Sequence, residues 1–170
     1  MSIAAVVLAA GEASRFGTPK QRLLLPEVLE RLEQSPVDDI VVVAGAHTLE
    51  TPARVVTCAG WKRGPGASLM AGLEELGDDV EAAIVVLADG PDLVPETVGR
   101  VIDAWRTDGG PIVAASYGGE RGHPLLVARE AWGSIPDGGL RELDARLVPC
   151  DDLGAPGDVN TPADLPPRLR

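Results

Sequence analysis

Short apolar runs rich in Val, Ile, Leu and Ala recur along the chain, with turns or helix-like stretches between them. Three of these runs, Ile3–Ala9, Ile40–Ala44 and Ala82–Leu87, have no polar face, which predicts central strands covered on both sides. Strands that alternate with helices predict an α/β domain with a mostly parallel sheet. The other predicted strands are Arg54–Cys58, Pro111–Ala115, Pro124–Val127 and Leu147–Cys150. The predicted helices are Glu27–Gln34, Ser68–Leu76, Pro95–Thr107 and Gly139–Ala145.

Length and composition narrow the class of protein. The chain has 170 residues, 45% of them hydrophobic and 24% charged. These values predict one domain, residues 1–170, that is large enough to bury a hydrophobic core. Its net charge of −11 argues against nucleic-acid or anionic-membrane partners. Without an apolar run of the ~20 residues that span a bilayer, and without a basic signal-peptide start, we expect a cytoplasmic protein, either monomer or homodimer. Cys58 and Cys150 lack metal-ligand spacing, so two reduced thiols are expected.

The segment Leu8–Lys20, at the end of the first predicted strand, has the features of a phosphate-binding loop. Small residues at 9–11 let the backbone approach a ligand closely, and Gly17 supports a tight turn. Arg15 and Lys20 add the positive charge that a triphosphate requires. The loop is neither a Walker loop nor a dinucleotide fingerprint, because GxxxxGK[ST] and GxGxxG are both absent.

The pattern LAAGxxxRxGxxK in this loop resembles the signature of the MobA-like nucleotidyltransferases. The resemblance implies the nucleotide-diphospho-sugar transferase fold, a Rossmann-like three-layer α/β/α sandwich with a mixed, mostly parallel sheet. It also implies that Arg15 and Lys20 bind the phosphates and take part in catalysis, while the backbone near Leu8 lies against the base. The nucleotide-binding residues implied in this loop are Leu8, Ala9, Ala10, Gly11, Arg15, Gly17 and Lys20.

Later segments also resemble the family. The stretch from Trp61 to Ser68 resembles a Gly-rich turn that contacts base and ribose, which implicates Gly66 and Ser68; Ser68 is equally suited to cap a helix. Asp89 ends a buried strand at the family's LxDxP position, where the resemblance implies a catalytic carboxylate that holds Mg²⁺. Asp158 precedes Val-Asn-Thr-Pro and would supply the second carboxylate to this metal.

Two further segments complete the resemblance. Thr161 and Pro162 predict the capped start of a helix directly after Asp158. Gly122 and His123 resemble a glycine-rich segment that faces the acceptor substrate. For His123 we favour a positional role over that of a catalytic base.

The chain departs from the family pattern at two places. The family has a Gly- and Pro-containing turn before its first helix, whereas here Leu23–Pro26 runs directly into Glu27. The family also has a helix between its second and third strands, where this chain has only residues 46–53. Either the protein is a trimmed variant, or residues are missing from the sequence. The first departure lies near the acceptor side, so acceptor identity is affected more than nucleotide binding.

The residues and the resemblance together predict Mg²⁺-dependent transfer of a nucleoside monophosphate to a phosphorylated small-molecule acceptor, with release of pyrophosphate. Ala10 resembles the cytidylyltransferase branch, so CTP is favoured over GTP. Molybdopterin is the expected acceptor. The alternatives are a sugar-phosphate or phospholactate nucleotidyltransferase, or a degenerate module that binds a nucleotide without catalysis.

Overall fold

The computed structural model describes residues 2–11 and 20–170, except for the side chains of residues 20 and 21. Within these ranges the chain forms seven strands, three α-helices and several short 3₁₀ turns. The strands are β1 (Ser2–Ala9), β2 (Asp39–Ala44), β3 (Arg54–Thr57), β4 (Val80–Leu87), β5 (Ile112–Tyr117), β6 (Glu120–Ala128) and β7 (Arg146–Pro149). The helices are α1 (Lys20–Glu33), α2 (Pro65–Leu73) and α3 (Pro95–Asp108).

All seven strands join one sheet in the order β3-β2-β1-β4-β6-β5-β7. Every neighbouring pair is parallel except the two pairs that include β6, which runs antiparallel to β4 and to β5. The prediction of a mixed, mostly parallel sheet is confirmed. Each of the seven predicted strands overlaps an observed one. Strands β1 and β4 are buried on both faces, and their long apolar runs make them the easiest to recognise.

Helices cover both faces of the sheet, so the domain is a three-layer α/β/α sandwich. One face packs against α1 and α3, and the other packs against α2 and the 3₁₀ turn Arg129–Ser134. Along β1, Ile3, Ala5 and Val7 belong to the first core, whereas Ala4 and Val6 belong to the second. This alternation explains why the strand has no polar face. In the described part of the chain, no helix is both long and apolar enough to cross a bilayer.

Three of the helix predictions need correction. Helix α1 begins at Lys20 rather than Glu27 and has Pro26 in its interior. Pro26 cannot donate a backbone hydrogen bond, and the burial of Leu24 and Leu25 offsets the energy lost. Helix α2 begins at Pro65, a residue preorganised for the first helical position, so Ser68 lies inside the helix and does not cap it.

The helix predicted at Gly139–Ala145 is also wrong, since the structure has there only the 3₁₀ turn Leu140–Glu142. Leu140 is the only buried residue of that turn, and so short a segment gains too little from packing to offset the cost of helix nucleation.

Residues 45–53 connect the parallel strands β2 and β3 without a helix, as the short sequence predicts. Leu49 is buried against the core beneath α1. The Arg22 guanidinium donates hydrogen bonds of 3.1 and 3.0 Å to the carbonyl oxygen of Thr48. Leu49 and the Arg22 hydrogen bonds therefore hold this loop against α1.

Candidate active site

The carboxyl ends of the two central parallel strands, β1 and β4, meet at one edge of the sheet. The backbone N–H of Ala88 donates a 3.1 Å hydrogen bond to the carbonyl oxygen of Leu8, which keeps the strand ends level. Ala10 and Gly11 follow β1, and Asp89 follows β4. Ligands of open α/β sheets bind at this edge, so the predicted residues lie where chemistry is expected.

A cavity of about 320 Å³ opens at this edge, and we call it the first cavity. Five residues predicted to bind the nucleotide or the metal line it, namely Leu8, Ala10, Gly11, Ser68 and Asp89. Trp61, Gly64, Pro65, Leu87 and Ala88 complete its wall. Ala9 does not line the cavity; its side chain is buried in the core on the α1 side of the sheet.

Trp61 is the largest of the wall residues to which the sequence argument assigned no role. A Cβ atom on Gly45 would lie 2.8 Å from the Cβ atoms of both Ala10 and Trp61, so the three backbones approach closely. The Lys62 ammonium lies 5.6 Å from the centre of the Trp61 ring. The sequence could have indicated Trp61 as a site residue, because it follows a predicted strand in a chain with only 3% aromatic residues.

Gly66 lies near the first cavity but is not part of its wall. Its backbone N–H donates a 2.9 Å hydrogen bond to the carbonyl oxygen of Asp137, and a Cβ atom there would lie 1.7 Å from the carbonyl oxygen of Pro136. Gly64, at the cap of α2, has a φ of 135° that disfavours any side chain. The glycines of this turn are therefore required by the passage of residues 136–137 across the start of α2.

Asp158 lies next to Asp89 because two backbone hydrogen bonds join their segments. The N–H of Val159 donates to the carbonyl oxygen of Asp89 at 3.0 Å, and the N–H of Asp92 donates to that of Pro156 at 2.9 Å. Val159 is buried with Leu24 and Leu165, whereas Asp158 is exposed. The Oδ1 atom of Asp89 is shielded from solvent.

The capping residues predicted after Asp158 are confirmed, but they begin a three-residue 3₁₀ turn and not a longer helix. Thr161 and Asp164 form a capping box around the 3₁₀ turn Pro162–Asp164, and the carboxylate of Asp164 accepts hydrogen bonds from the N–H groups of Asn160 and Thr161 at 3.0 and 2.9 Å. The box fixes the end of the segment that carries Asp158.

The two carboxylates match the donor set that a hard divalent cation requires. Mg²⁺ is commonly held by one or two carboxylates and completes its shell with water and substrate phosphate oxygens. No group of three or more His, Cys, Asp or Glu side chains suited to a metal occurs in residues 2–11 and 22–170. An open two-carboxylate site at Asp89 and Asp158 therefore fits a metal that binds together with its substrate.

A second cavity of about 330 Å³ adjoins the first, with which it shares Leu8, Pro65 and Leu87. Gly122 and His123, predicted to face the acceptor, both line it. A Cβ atom on Gly122 would lie 2.9 Å from the Tyr117 ring, so that ring can pack directly on the β6 backbone. The Tyr117 hydroxyl donates a 2.7 Å hydrogen bond to the carbonyl oxygen of His123.

The electrostatics of His123 favour a neutral imidazole. Burial and, to a smaller extent, the positive charge of Arg121 lower its pKa to about 4, against the opposing effect of the Asp158 carboxylate. His123 therefore carries no charge at neutral pH. This agrees with a positional role at the wall of the second cavity, although catalysis as a base stays untested.

Three predicted phosphate-binding residues have no described side chain. Arg15 and Gly17 lie outside the described residues, and Lys20 is described only as the first residue of α1. Their roles remain predictions. The described parts fix the two ends of their loop, at Gly11 beside the first cavity and at the start of α1.

Residues 5–148 match the family model of the MobA-like NTP transferase domain. The chain belongs to the MobA-like NTP transferase family. It is therefore a member of an enzyme family, and the resemblance carried by the loop pattern is confirmed. The matched span ends within β7, so the assignment of Asp158 rests on the geometry beside Asp89 rather than on the family model.

Two curated relatives are similar in sequence to this chain. A probable molybdenum cofactor guanylyltransferase of Chloroflexus aggregans is 32% identical over 129 residues, which cover 69% of this chain and 60% of that protein. The bifunctional protein GlmU of Streptomyces avermitilis is 32% identical over 151 residues, which cover 78% of this chain and 31% of that protein. The chain thus spans less than two thirds of the length of either relative.

A solved structure with the same fold is Rv0371c of Mycobacterium tuberculosis H37Rv. It is 28% identical with a TM-score of 0.80, and the match covers 96% of this chain and 95% of that one. A second crystal structure of Rv0371c, described as a complex with manganese, is 25% identical with a TM-score of 0.71 and covers 97% and 93% of the two chains. The three-layer fold of the MobA-like domain is therefore shared almost from end to end.

Proposed function

We propose that this protein is a divalent-metal-dependent nucleotidyltransferase that transfers a nucleoside monophosphate from a nucleoside triphosphate to a phosphorylated small molecule. The observation that carries the proposal is that Asp89 lines the first cavity and that the segment of Asp158 is joined to Asp89 by the Val159–Asp89 hydrogen bond. Carboxylates beside a cavity at the carboxyl edge of the sheet suit a metal-bound triphosphate.

In this reaction a phosphate oxygen of the acceptor attacks the α-phosphorus of the triphosphate. The bond from that phosphorus to the bridging oxygen breaks, and pyrophosphate leaves. The acceptor phosphate already carries negative charge, so the protein need not supply a nucleophile. Its contribution is to position both substrates and to stabilise the charge that develops.

The chain's own residues divide this work. Leu8, Ala10 and Ser68 would bound the nucleoside, while Arg15 and Lys20 would bind the phosphates. Asp89 and Asp158 would hold Mg²⁺ or Mn²⁺, and one Rv0371c structure is described as a complex with manganese. The bound cation would neutralise phosphate charge and favour departure of pyrophosphate.

The proposed nucleotide is CTP. The Ala10 side chain lines the first cavity and lies close to Trp61, where a glycine would leave more room. A narrower cavity favours a pyrimidine over a purine. The name of the Chloroflexus relative supports GTP instead, so both triphosphates belong in the test.

Molybdopterin is the proposed acceptor, in line with the name of the Chloroflexus relative. The resemblance to GlmU supports the second candidate, a sugar-phosphate nucleotidyltransferase. The second cavity adjoins the first, so it lies where an acceptor would reach the α-phosphorus.

The metal role is tested with Asp89→Asn and Asp158→Asn, and Asp103→Asn on the exposed face of α3 is the matched control. Electron paramagnetic resonance would measure binding of Mn²⁺ in the presence of CTP. Both site variants should lose Mn²⁺ binding while keeping the wild-type circular dichroism spectrum. Unchanged Mn²⁺ binding in both variants would contradict the metal assignment.

The activity is tested with a panel of acceptors, each assayed for pyrophosphate release with CTP and with GTP. Molybdopterin, sugar phosphates, alcohol phosphates and phospholactate form the panel. Release with one acceptor, lost in Asp89→Asn, would support nucleotidyl transfer and identify the substrate. Nucleotide binding with no release from any acceptor would favour a binding module without catalysis.

A further inference from the structure

The second cavity has an apolar floor and positive charge at its rim. Leu69 of α2, Val85 of β4 and Leu125 of β6 form part of the floor. Arg121 and Arg141 both line the cavity, but their surroundings differ.

Two hydrogen bonds join Arg121 to the loop that forms another part of the cavity wall. Its guanidinium donates hydrogen bonds of 2.6 Å to the carbonyl oxygens of Leu140 and of Leu143. Burial lowers the pKa of Arg121, which the negative charge of Asp144 partly opposes. Arg121 therefore holds the loop in place, and these two hydrogen bonds go to backbone carbonyls rather than into the cavity.

The other end of this loop is fixed against α2. The carbonyl oxygen of Asp137 accepts the N–H of Gly66 at 2.9 Å. Gly139 has a φ of 96°, and a Cβ atom there would lie 3.0 Å from Cγ of Pro65. Residues 136–143 are thus held at both ends, which defines the position of the side chains between them.

Arg141 is the cation that this loop presents to the cavity. Within the described part of the chain, its guanidinium makes no hydrogen bond and no ion pair. Its neighbour Glu142 does not neutralise it, because the Glu142 carboxylate lies over Gly138. A guanidinium at the rim of an apolar cavity is suited to a phosphate or carboxylate, which it can bind through two parallel hydrogen bonds.

We propose that Arg141 binds the phosphate of an acceptor whose organic part is a ring poor in hydroxyl groups, packed on the floor of the second cavity, and that Arg121 is the positioning residue that holds the Arg141 loop. The inference rests on the proposed function, which places the acceptor in this cavity. A sugar phosphate would need several polar partners for its hydroxyl groups. The cavity instead offers a mostly hydrophobic floor, and the hydrogen bonds of Arg121 are already directed at the loop.

The probe for this proposal is naphthyl phosphate, an apolar ring with one phosphate, titrated calorimetrically into the protein without nucleotide or metal. Arg141→Ala should weaken its binding by at least about tenfold, the usual effect of losing a charge-assisted hydrogen bond. Arg141→Lys should keep part of the affinity. Arg106→Ala, which removes an exposed arginine on α3, should bind the probe like the wild type.

Naphthol has the ring without the phosphate, so its binding measures the contribution of the apolar floor without that of Arg141. It should bind wild type and Arg141→Ala with equal affinity. Glucose phosphate, which has the phosphate without the apolar ring, should bind the wild type at least about tenfold more weakly than naphthyl phosphate.

The positioning role of Arg121 is tested with Arg121→Ala and Arg121→Lys. The alanine variant should lose affinity for naphthyl phosphate although Arg141 is intact, and the lysine variant should recover part of it. Once the acceptor is known, Arg121→Ala should raise the KM for the acceptor while leaving the KM for the triphosphate unchanged. Equal probe affinity in Arg121→Ala and wild type would contradict this role.

Two results would overturn the assignment of Arg141. One is that naphthyl phosphate does not bind the wild type, and the other is that Arg141→Ala binds it equally well, which would place the probe elsewhere. These measurements require no turnover. The two proposals can therefore fail separately. If probe binding depends on Arg141 but no acceptor gives pyrophosphate release, the proposed function is rejected while the anion site at Arg141 is supported.

Discussion

The backbone N–H of Val159 donates a 3.0 Å hydrogen bond to the carbonyl oxygen of Asp89. This bond joins the end of β4 to a segment near the carboxyl terminus, and the buried side chain of Val159 secures it from the other side against Leu24 and Leu165. The separation of the two proposed metal-binding carboxylates therefore depends on apolar packing as well as on the backbone.

Val159→Ala should weaken both stability and metal binding. The smaller side chain leaves a void beside Leu24, which should lower the free energy of unfolding by about 1–3 kcal/mol. It should also weaken Mn²⁺ binding, since Asp158 is then held less firmly. Urea unfolding and Mn²⁺ titration measure the two effects. Loss of stability with unchanged Mn²⁺ affinity would show that the packing does not position Asp158.

Gly66→Ala should destabilise the domain through a steric clash. The added methyl group would lie 1.7 Å from the carbonyl oxygen of Pro136, which is backbone and cannot swing away. We expect a loss of about 1–3 kcal/mol, measured by urea unfolding.

The matched control for Gly66 is Gly99→Ala, in α3. The nearest atom to its new Cβ is Cγ of Pro36 at 3.7 Å, an ordinary contact, and alanine favours the helix by about 0.5–1 kcal/mol. Gly99→Ala should thus be as stable as the wild type or more so. Equal stability of the two alanine variants would refute the close packing of residues 136–137 on α2.

Tyr117 is the only tyrosine of the chain, so its phenolate absorbance can be titrated without interference. Burial raises the pKa of Tyr117 from 10.0 to about 12, with a smaller contribution from the negative charge that the Cys150 thiolate would carry. Because the folded-state pKa lies above the unfolded one, the associated stability is complete below pH 10 and is lost as the pH rises toward 12. A native titration midpoint equal to the midpoint in urea would contradict this burial.

His123 should make the protein less stable in mild acid. Its folded-state pKa of about 4 lies below the usual 6.5, because burial disfavours the imidazolium. The unfolded chain therefore binds an extra proton between these values, and stability falls by up to about 3 kcal/mol as the pH drops through that window. Urea unfolding at several pH values measures this, with His123→Gln as control. The same pH dependence in the variant and the wild type would exclude His123 as its source.

The sequence predicts the strands of this fold better than its helix starts. A strand such as β4 lies between two others and is buried on both faces, so its position follows from hydrophobicity alone. Helix starts depend on competing local signals. Ser68 is a favourable cap, but Pro65 has a fixed φ suited to the first helical position, and α2 begins there.

The residues of the candidate site likewise divide into those that the sequence could predict and those that it could not. The place of Asp89 at the carboxyl edge of the sheet could be predicted because it follows an apolar strand, whereas its metal-binding role was implied by the family resemblance. The proximity of Asp158 could be expected only from the family resemblance, since the Val159 hydrogen bond joins segments that are distant in sequence. Arg121 and Arg141 had no sequence signal, because their surroundings arise only when residues 136–143 lie across the start of α2.

The position of β1 between β2 and β4 has a consequence for folding during synthesis. Strand β1 leaves the ribosome well before β4, with which it pairs in a register that begins with Ser2 opposite Val80. Contacts so distant in sequence form slowly, because a long loop must close before they contribute. Until β4 has emerged, β1 exposes an apolar edge to other nascent chains, and productive folding must outpace that association.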